Sequence, residues 1–132
     1  MMRAIDERGW ARAIVSNNNQ GWVRKYGAQC GVATGWAAIC CADGDHFRAK
    51  PRPDLYQQAT AQLGLPAEQV LAFEDSPSGV QAAKAAGLRC IAVANPITTH
   101  LDLTGADLWF DSFKDIDLTV LLQKLTSLEV SP

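Results

Sequence analysis

The sequence has little that would suit it to a membrane, a nucleic acid or secretion. No apolar run approaches the length of a membrane span, and the charged N-terminus, with Arg3, Asp6, Glu7 and Arg8, lacks the apolar core of a signal peptide. The 12 basic and 14 acidic residues give a formal net charge of −2, so no positive excess is present to attract nucleic acid or an anionic lipid surface. We therefore expect a cytoplasmic protein that binds neither.

Residues that commonly hold metals or form disulfides are also scarce. There are four cysteines and two histidines, and neither set shows the spacing of a zinc site. Cys40 and Cys41 are adjacent, so on a strand they would point to opposite faces of the sheet. We expect the cysteines to be reduced residues that pack in the core.

What the sequence does have is a regular alternation of strand and helix patterns. The strand patterns cover 10–15, 36–41, 70–73, 89–94 and 108–110, and the helix patterns cover 20–33, 54–63, 77–86 and 116–124. This succession is typical of a parallel sheet covered by helices. Because 132 residues suffice for one core, we predict a single α/β domain over residues 1–125, followed by a disordered tail over 126–132.

The most informative segment is the end of the strand pattern at Phe73. Glu74 and Asp75 follow it directly, and a helix of small residues begins at once. Two adjacent carboxylates repel each other, so the pair suits a hard cation such as Mg²⁺, which takes oxygen ligands. The pair alone leaves open a second interpretation, in which the two carboxylates cap the next helix.

Two other polar positions are candidates for phosphate binding. Ser16 and Asn17 follow a strand, and a hydroxyl beside free backbone N–H groups can hold a phosphate, although such a run is also common as a helix cap. Lys50 lies between a loop and a helix start, with prolines on its C-terminal side. A lysine fixed in this way can balance the charge of a phosphoryl group, whereas a lone lysine is more often solvated.

Together and in this order, these segments resemble the haloacid dehalogenase superfamily, in its β-phosphoglucomutase and sugar-phosphatase-like branch. Residues 15–18 look like the second motif of that family, 50–56 like the third, and 73–76 together with Gly79-Val80, Ala82-Ala83 and Ala86-Gly87 like the fourth. The resemblance runs from about residue 5 to 118 and implies a three-layer αβα Rossmann-like fold. It also implies that Ser16, with Asn17, binds the transferring phosphoryl group and that Lys50 balances its charge. Glu74 and Asp75 would hold Mg²⁺ directly or through water.

The sequence shows no match to the family motif that carries the reacting carboxylates. The first motif, an Asp-x-Asp pair after an N-terminal strand, supplies the nucleophile and the acid/base group, but only 1–10 precede the second-motif strand and 1–9 look like a helix. The cap domain that usually follows it is also missing. We therefore expect Mg²⁺-dependent phosphoryl-transfer machinery for small phosphate esters that is inactive alone. The alternative is a non-catalytic binding or interaction module derived from that fold.

Two other interpretations carry less weight. Asp43 and Asp45 form an Asp-x-Asp pair after an apolar run, but they lie so close to Lys50 in the sequence that little room remains to converge on one phosphoryl group. A phosphoacceptor receiver domain has a similar length and fold. It needs its acidic pair near the N-terminus and its lysine near the C-terminus, whereas here Lys50 precedes the acidic pair.

The missing strand would lie at the centre of the family's sheet, between the second-motif and fourth-motif strands. Each buried backbone group left without a partner costs roughly 1–3 kcal/mol, so a gap of several residues would rival the stability of the whole domain. The two flanking strands must pair directly, recruit a strand from a second copy or receive one from another polypeptide. We predict a homodimer or a strand-donating partner, because exposed edges favour association.

Overall fold

The computed structural model describes residues 1–129. The helices are α1 (Met2–Asp6), α2 (Gln20–Gln29), α3 (Asp54–Leu63), α4 (Pro77–Ala85) and α5 (Leu118–Glu129), and the strands are β1 (Ala13–Ser16), β2 (Ala38–Cys41), β3 (Leu71–Glu74), β4 (Arg89–Val93) and β5 (Leu108–Phe110). Within this part of the chain, no helix has the length and apolar character needed to cross a membrane. The predicted α/β class with parallel strands is confirmed.

Local signals set most of the element boundaries. Helix α3 has the predicted bounds, and Gly64 ends it in the left-handed conformation with φ 66°. Helix α2 ends at Gln29, four residues earlier than predicted, and Gly31 turns the chain with φ 72°. Helix α5 continues to Glu129, so it includes the first four residues of the segment predicted as a tail, and 130–132 lie outside the described residues.

Successive side chains of β3 and β4 point to opposite faces of the sheet, and helices pack against each face. Ala72, Cys90 and Ala92 face a core shared with α4, where Ala82 and Ala83 are fully buried and allow a close approach to the sheet. The intervening β4 residues lie in a second core together with residues of α5 and α1. These two cores give the αβα layering.

The parallel strands form two sheets rather than one. Strand β1 pairs with β2, from Ala13 opposite Ala38 to Ser16 opposite Cys41, and the second sheet has the order β3, β4, β5. Among the described residues no hydrogen-bonded ladder joins β1 to β3. Direct pairing, the first of the three possibilities set out above, is therefore not what the structure shows. Side chains connect the sheets instead, and Val15 packs against cores on both sides.

The cysteines are free thiols, and three of the four are buried. Burial raises the pKa of the Cys90 thiol to about 12, and the nearby carboxylates of Glu74 and Asp107 add to the increase. Cys30 is the exposed one. The prediction of reduced core cysteines is confirmed for Cys40, Cys41 and Cys90.

Candidate active site

The candidate site lies where β1 and β3 end. Ser16 is the last residue of β1, and its Oγ accepts a hydrogen bond of 3.1 Å from the backbone N–H of Asn18. Asn19, and not Ser16 or Asn17, caps helix α2, because its side chain accepts from the Trp22 N–H at 2.7 Å. The polar run 16–19 thus supplies the helix cap through Asn19, whereas Ser16 takes no part in the cap and its hydroxyl proton stays available.

Asn17 fixes the backbone of Lys50 across 33 residues of sequence. Its Oδ1 accepts from the Lys50 N–H at 2.7 Å, and its Nδ2 donates to the Lys50 carbonyl at 3.1 Å. Both ends of the carboxamide are used, so the two predicted site segments are held in one orientation. The predicted contact of Asn17 with phosphate stays a prediction.

The Lys50 ammonium group is paired with Glu74. Nζ lies 2.5 Å from Oε1 of Glu74, and the two side chains are only 10% and 5% exposed. The Tyr56 hydroxyl also donates to Oε1. Burial raises the pKa of Tyr56 well above its ordinary value, and the neighbouring Glu74 charge raises it further, so the phenol stays protonated and able to donate. Glu74 therefore has a cation and a phenol as partners.

The start of helix α4 packs directly onto the Glu74 carboxylate. A Cβ atom at Gly79 would collide with the carboxylate group of Glu74, so only glycine allows this approach. The Ser76 side chain accepts from the Gly79 N–H at 3.1 Å and caps the helix. The interpretation of Glu74 and Asp75 as the helix cap is therefore not supported.

Asp75 is the carboxylate that stays open. It is exposed, and the described residues give its side chain one hydrogen bond, from Asn95 Nδ2 to Oδ2 at 2.8 Å. A cavity of about 170 Å³ lies beside it, lined by Phe73, Glu74, Asp75, Val93, Ala94, Asn95 and Phe113. The predicted pair is thus divided, with Glu74 turned toward Lys50 and Asp75 toward the cavity.

The open Asp75 carboxylate can supply oxygen ligands to Mg²⁺, but it is one carboxylate and not a complete metal site. Among the side chains that the structure describes, no group of three or more His, Cys, Asp or Glu is arranged to hold a metal ion. Protein-bound Mg²⁺ keeps several waters and commonly uses one or two carboxylates with substrate phosphate oxygens, which is a set that Asp75 can join. The direct or water-mediated contact of Glu74 with the metal stays a prediction.

Both Asp43 and Asp45 accept hydrogen bonds from backbone N–H groups, one from the start of a helix and one within their own loop. Asp43 Oδ1 accepts from the Gln20 N–H at the start of α2, at 2.7 Å, and Asp45 Oδ1 accepts from the Phe47 N–H at 2.9 Å. These bonds give both carboxylates a local structural role. They support the view that the pair is a poor substitute for the first motif.

Sequence reasoning missed three residues of this site. Tyr56 and Gly79 both contact Glu74, and Asn95 contacts Asp75. A weak signal existed for the first two, since they lie within segments that resemble family motifs. A single asparagine before a proline predicts only a turn, so Asn95 carried no usable signal.

The parallel strands, with polar and charged residues gathered where β1 and β3 end, define an α/β protein with a polar edge of the kind at which such folds bind ligands. The family comparison is more specific. A family model described as haloacid dehalogenase-like hydrolase matches residues 1–87, and the chain belongs to this family.

Individual relatives agree with this assignment. The chain is 34% identical over 126 residues to YhcW of Bacillus subtilis, which is 96% of this chain and 57% of YhcW. A crystal structure of CbbY from Rhodobacter sphaeroides with phosphate has a TM-score of 0.79 at 32% identity, covering 86% of this chain and 52% of that one. A β-phosphoglucomutase from Clostridium difficile has a TM-score of 0.83 at 18% identity, covering 98% and 55%, which shows the fold alone. The chain thus spans about half the length of these relatives.

Proposed function

We propose that this chain carries the phosphate-binding and cation-binding half of a Mg²⁺-dependent phosphohydrolase site for small phosphate esters. The observation that supports the proposal most directly is the chain of contacts from Asn17 through Lys50 to Glu74. It brings the ends of β1 and β3, which are not hydrogen-bonded to each other, to one edge next to Asp75. The CbbY structure cited above contains phosphate, which agrees with this substrate class.

Lys50 can serve an anion without giving up its internal partner. An ammonium group has three N–H donors, and Glu74 accepts one of them. Two donors remain for phosphoryl oxygens, while Glu74 holds the group in place. A buried lysine paired in this way is held in a fixed position, with its remaining N–H donors at the edge of the sheet.

Ser16 can complete the phosphoryl contact. Because its oxygen accepts from the Asn18 N–H, its hydroxyl proton can donate outward to a phosphoryl oxygen. Mg²⁺ bound at Asp75 would neutralise charge on the same group. These contacts stabilise a transferring phosphoryl group but supply no nucleophile, so we propose that the chain does not turn over phosphate esters by itself.

The non-catalytic alternative is favoured by the hydrogen bonds that Asp43 and Asp45 accept from backbone N–H groups. With Asp43 bonded to the start of α2 and Asp45 bonded within its loop, the described residues offer binding groups without a free nucleophile. A module that binds phosphate and a cation is then the function that this half supports by itself. We further propose that a second copy or another polypeptide supplies a strand between β1 and β3.

Thermal unfolding with inorganic phosphate and Mg²⁺ tests the binding proposal. The wild-type Tm should rise, because a ligand that binds only the folded state stabilises it by mass action. Ser16→Ala and Lys50→Met should reduce the rise. Arg52→Met is the matched control, since the Arg52 side chain is 60% exposed and pairs with Asp54 instead. Absence of any rise in the wild type at millimolar ligand would contradict the proposal.

Turnover of a small phosphate ester separates the two functions. We expect none from the purified chain with Mg²⁺ present. Turnover that is lost in Asp43→Ala would contradict this expectation and identify Asp43 as the nucleophile. Asp111→Ala, at an exposed position after β5, serves as the control.

A further inference from the structure

Asn95 is the described side chain that hydrogen-bonds the Asp75 carboxylate. It lies just beyond the end of β4, which is the partner of β3, so the ends of the two strands are neighbours. Nδ2 of Asn95 donates to Oδ2 of Asp75 at 2.8 Å. Oδ1 of Asp75 has no hydrogen bond among the side chains and backbone groups that the structure describes, and Asp75 lines the cavity.

The hydrogen bonds that Asn95 Oδ1 accepts determine the orientation of the carboxamide. Its Oδ1 accepts from the backbone N–H of Ile97 at 2.8 Å and of Thr98 at 3.1 Å. A flipped carboxamide would place its NH₂ group against these two donors, so Nδ2 must face Asp75. The two N–H donors thus determine which group of Asn95 meets the carboxylate.

The loop around Asn95 is itself held in place. The Asn95 N–H donates to Thr98 Oγ1 at 3.2 Å, and its carbonyl accepts from the N–H groups of Thr98 and Thr99, each at 3.0 Å. Just before it, the Ala94 N–H donates to the Phe110 carbonyl of β5 at 2.9 Å. The carboxamide is therefore a fixed donor, and a fixed donor restricts the rotamers of Asp75.

We propose that Asn95 is a positioning residue for Asp75. It holds Oδ2 and directs Oδ1 into the cavity, where the volume of about 170 Å³ has room for a cation with several waters. The inference rests on the proposed function, in which Asp75 receives the cation. Groups that orient a metal ligand typically change metal affinity about tenfold to a hundredfold when removed.

Titration with Mn²⁺, followed by electron paramagnetic resonance, measures the effect on affinity. Asn95→Ala should weaken Mn²⁺ binding about tenfold. Thr98→Val is the matched control, because it removes one bond of the loop and leaves Nδ2 in place, so affinity should not change. Equal affinity of Asn95→Ala and wild type would overturn the proposal, as would an equal loss in Thr98→Val.

A second measurement does not depend on the metal. The two Asn95 side-chain N–H resonances should be distinct and slow to exchange in the wild type, and Asp75→Ala should remove this protection. Resonances that are the same in both proteins would overturn the positioning role. If the wild type binds no Mn²⁺ while the resonances behave as expected, the proposed function fails and the role of Asn95 in orienting Asp75 stands.

Discussion

At the scale of single residues, Glu74 organises the candidate site. It is 7% exposed and receives bonds from Lys50 and Tyr56, while Gly79 packs against its other oxygen. Removing one partner of a buried charge costs more than the pair contributes, because the remaining charge stays desolvated. Substitutions around Glu74 should therefore affect both folding and binding.

Gly79→Ala tests this packing. Alanine favours helix by up to about 1 kcal/mol over glycine, but here its Cβ would displace the Glu74 carboxylate. We expect overpacking to lower the free energy of unfolding by about 1–3 kcal/mol and to weaken the phosphate response. Urea denaturation measures the first effect and the thermal shift with phosphate the second.

The control for this substitution is Gly21→Ala in α2. An added Cβ there meets only Asn19 Oδ1, at 3.5 Å, which is an ordinary contact. This variant should be as stable as the wild type or more stable. If Gly79→Ala behaves in the same way, Glu74 does not need the space that glycine leaves.

The identities of the site residues could be predicted better than their partners. Ser16, Lys50 and the carboxylate pair were found because each follows a recognisable strand or loop pattern. The ion pair of Lys50 with Glu74 joins positions 24 residues apart, and the chain signals neither that contact nor the division of labour between Glu74 and Asp75. Such contacts depend on tertiary packing, which a single sequence does not display.

At the scale of elements, Asp107 links α4 to β4. Both of its oxygens lie 2.7 Å from Lys84 Nζ, and Oδ2 also accepts from the Cys90 N–H at 2.7 Å. Partial burial opposes ionisation of Asp107, but the bonds from Lys84 and Cys90 outweigh it and lower the pKa below 3.8. The ionised carboxylate thus fastens the helix to the sheet.

The linkage predicts a specific dependence on pH. A carboxyl group whose pKa is lower in the folded state stabilises the protein fully above its unfolded value, and this stabilisation is lost as the pH falls through the folded value. Asp107→Asn should therefore lower stability by about 1 kcal/mol near neutrality and flatten the fall below pH 3.8. Denaturation curves across acidic pH measure both quantities, and Asp111→Asn is the exposed control. An unchanged slope in Asp107→Asn would contradict the linkage.

The observed element boundaries match the predicted ones where the prediction relied on a proline or glycine at the start or end of a helix. Helix α3 lies between Pro53 and Gly64, and its observed bounds match the predicted ones. Helix α2 ends at Gln29, two residues before Gly31 turns the chain, and the prediction extended the helix past that glycine. The division into two sheets could not be read from these local signals, because strand pairing is decided by residues distant in sequence.

At the scale of the whole molecule, the two sheets are not joined by hydrogen bonds among the described residues, so β1 and β3 each keep a free edge. Strands β1 and β3 are each paired with one neighbouring strand among the described residues, and parallel strands with free edges tend to recruit another strand. Side-chain contacts through Val15, Lys50 and Tyr56 hold the two sheets near each other. The free edges of β1 and β3 are where we propose that a further strand would pair.

We therefore expect a homodimer in solution, to be measured by light scattering over a wide range of concentration. Trp22→Ala separates edge pairing from an aromatic contact, because Trp22 is 46% exposed and its ring contacts that of Tyr26 in a tilted arrangement at a centroid distance of 3.9 Å. A dimer formed through the strand edges should survive this change. A stable monomer at high concentration, with slow amide exchange in both β1 and β3, would contradict the expectation.

The pairing of Lys50 with Glu74 also affects the order in which ligands arrive. Each charge cancels the other at close range, and Asp75 then leaves the edge with a negative charge, on a chain whose formal net charge is −2. Long-range fields steer association, so a free phosphate dianion approaching this edge is repelled rather than attracted. A divalent cation at Asp75 reverses the sign of the local field. Binding should consequently be ordered, with the cation first and the anion drawn in after it.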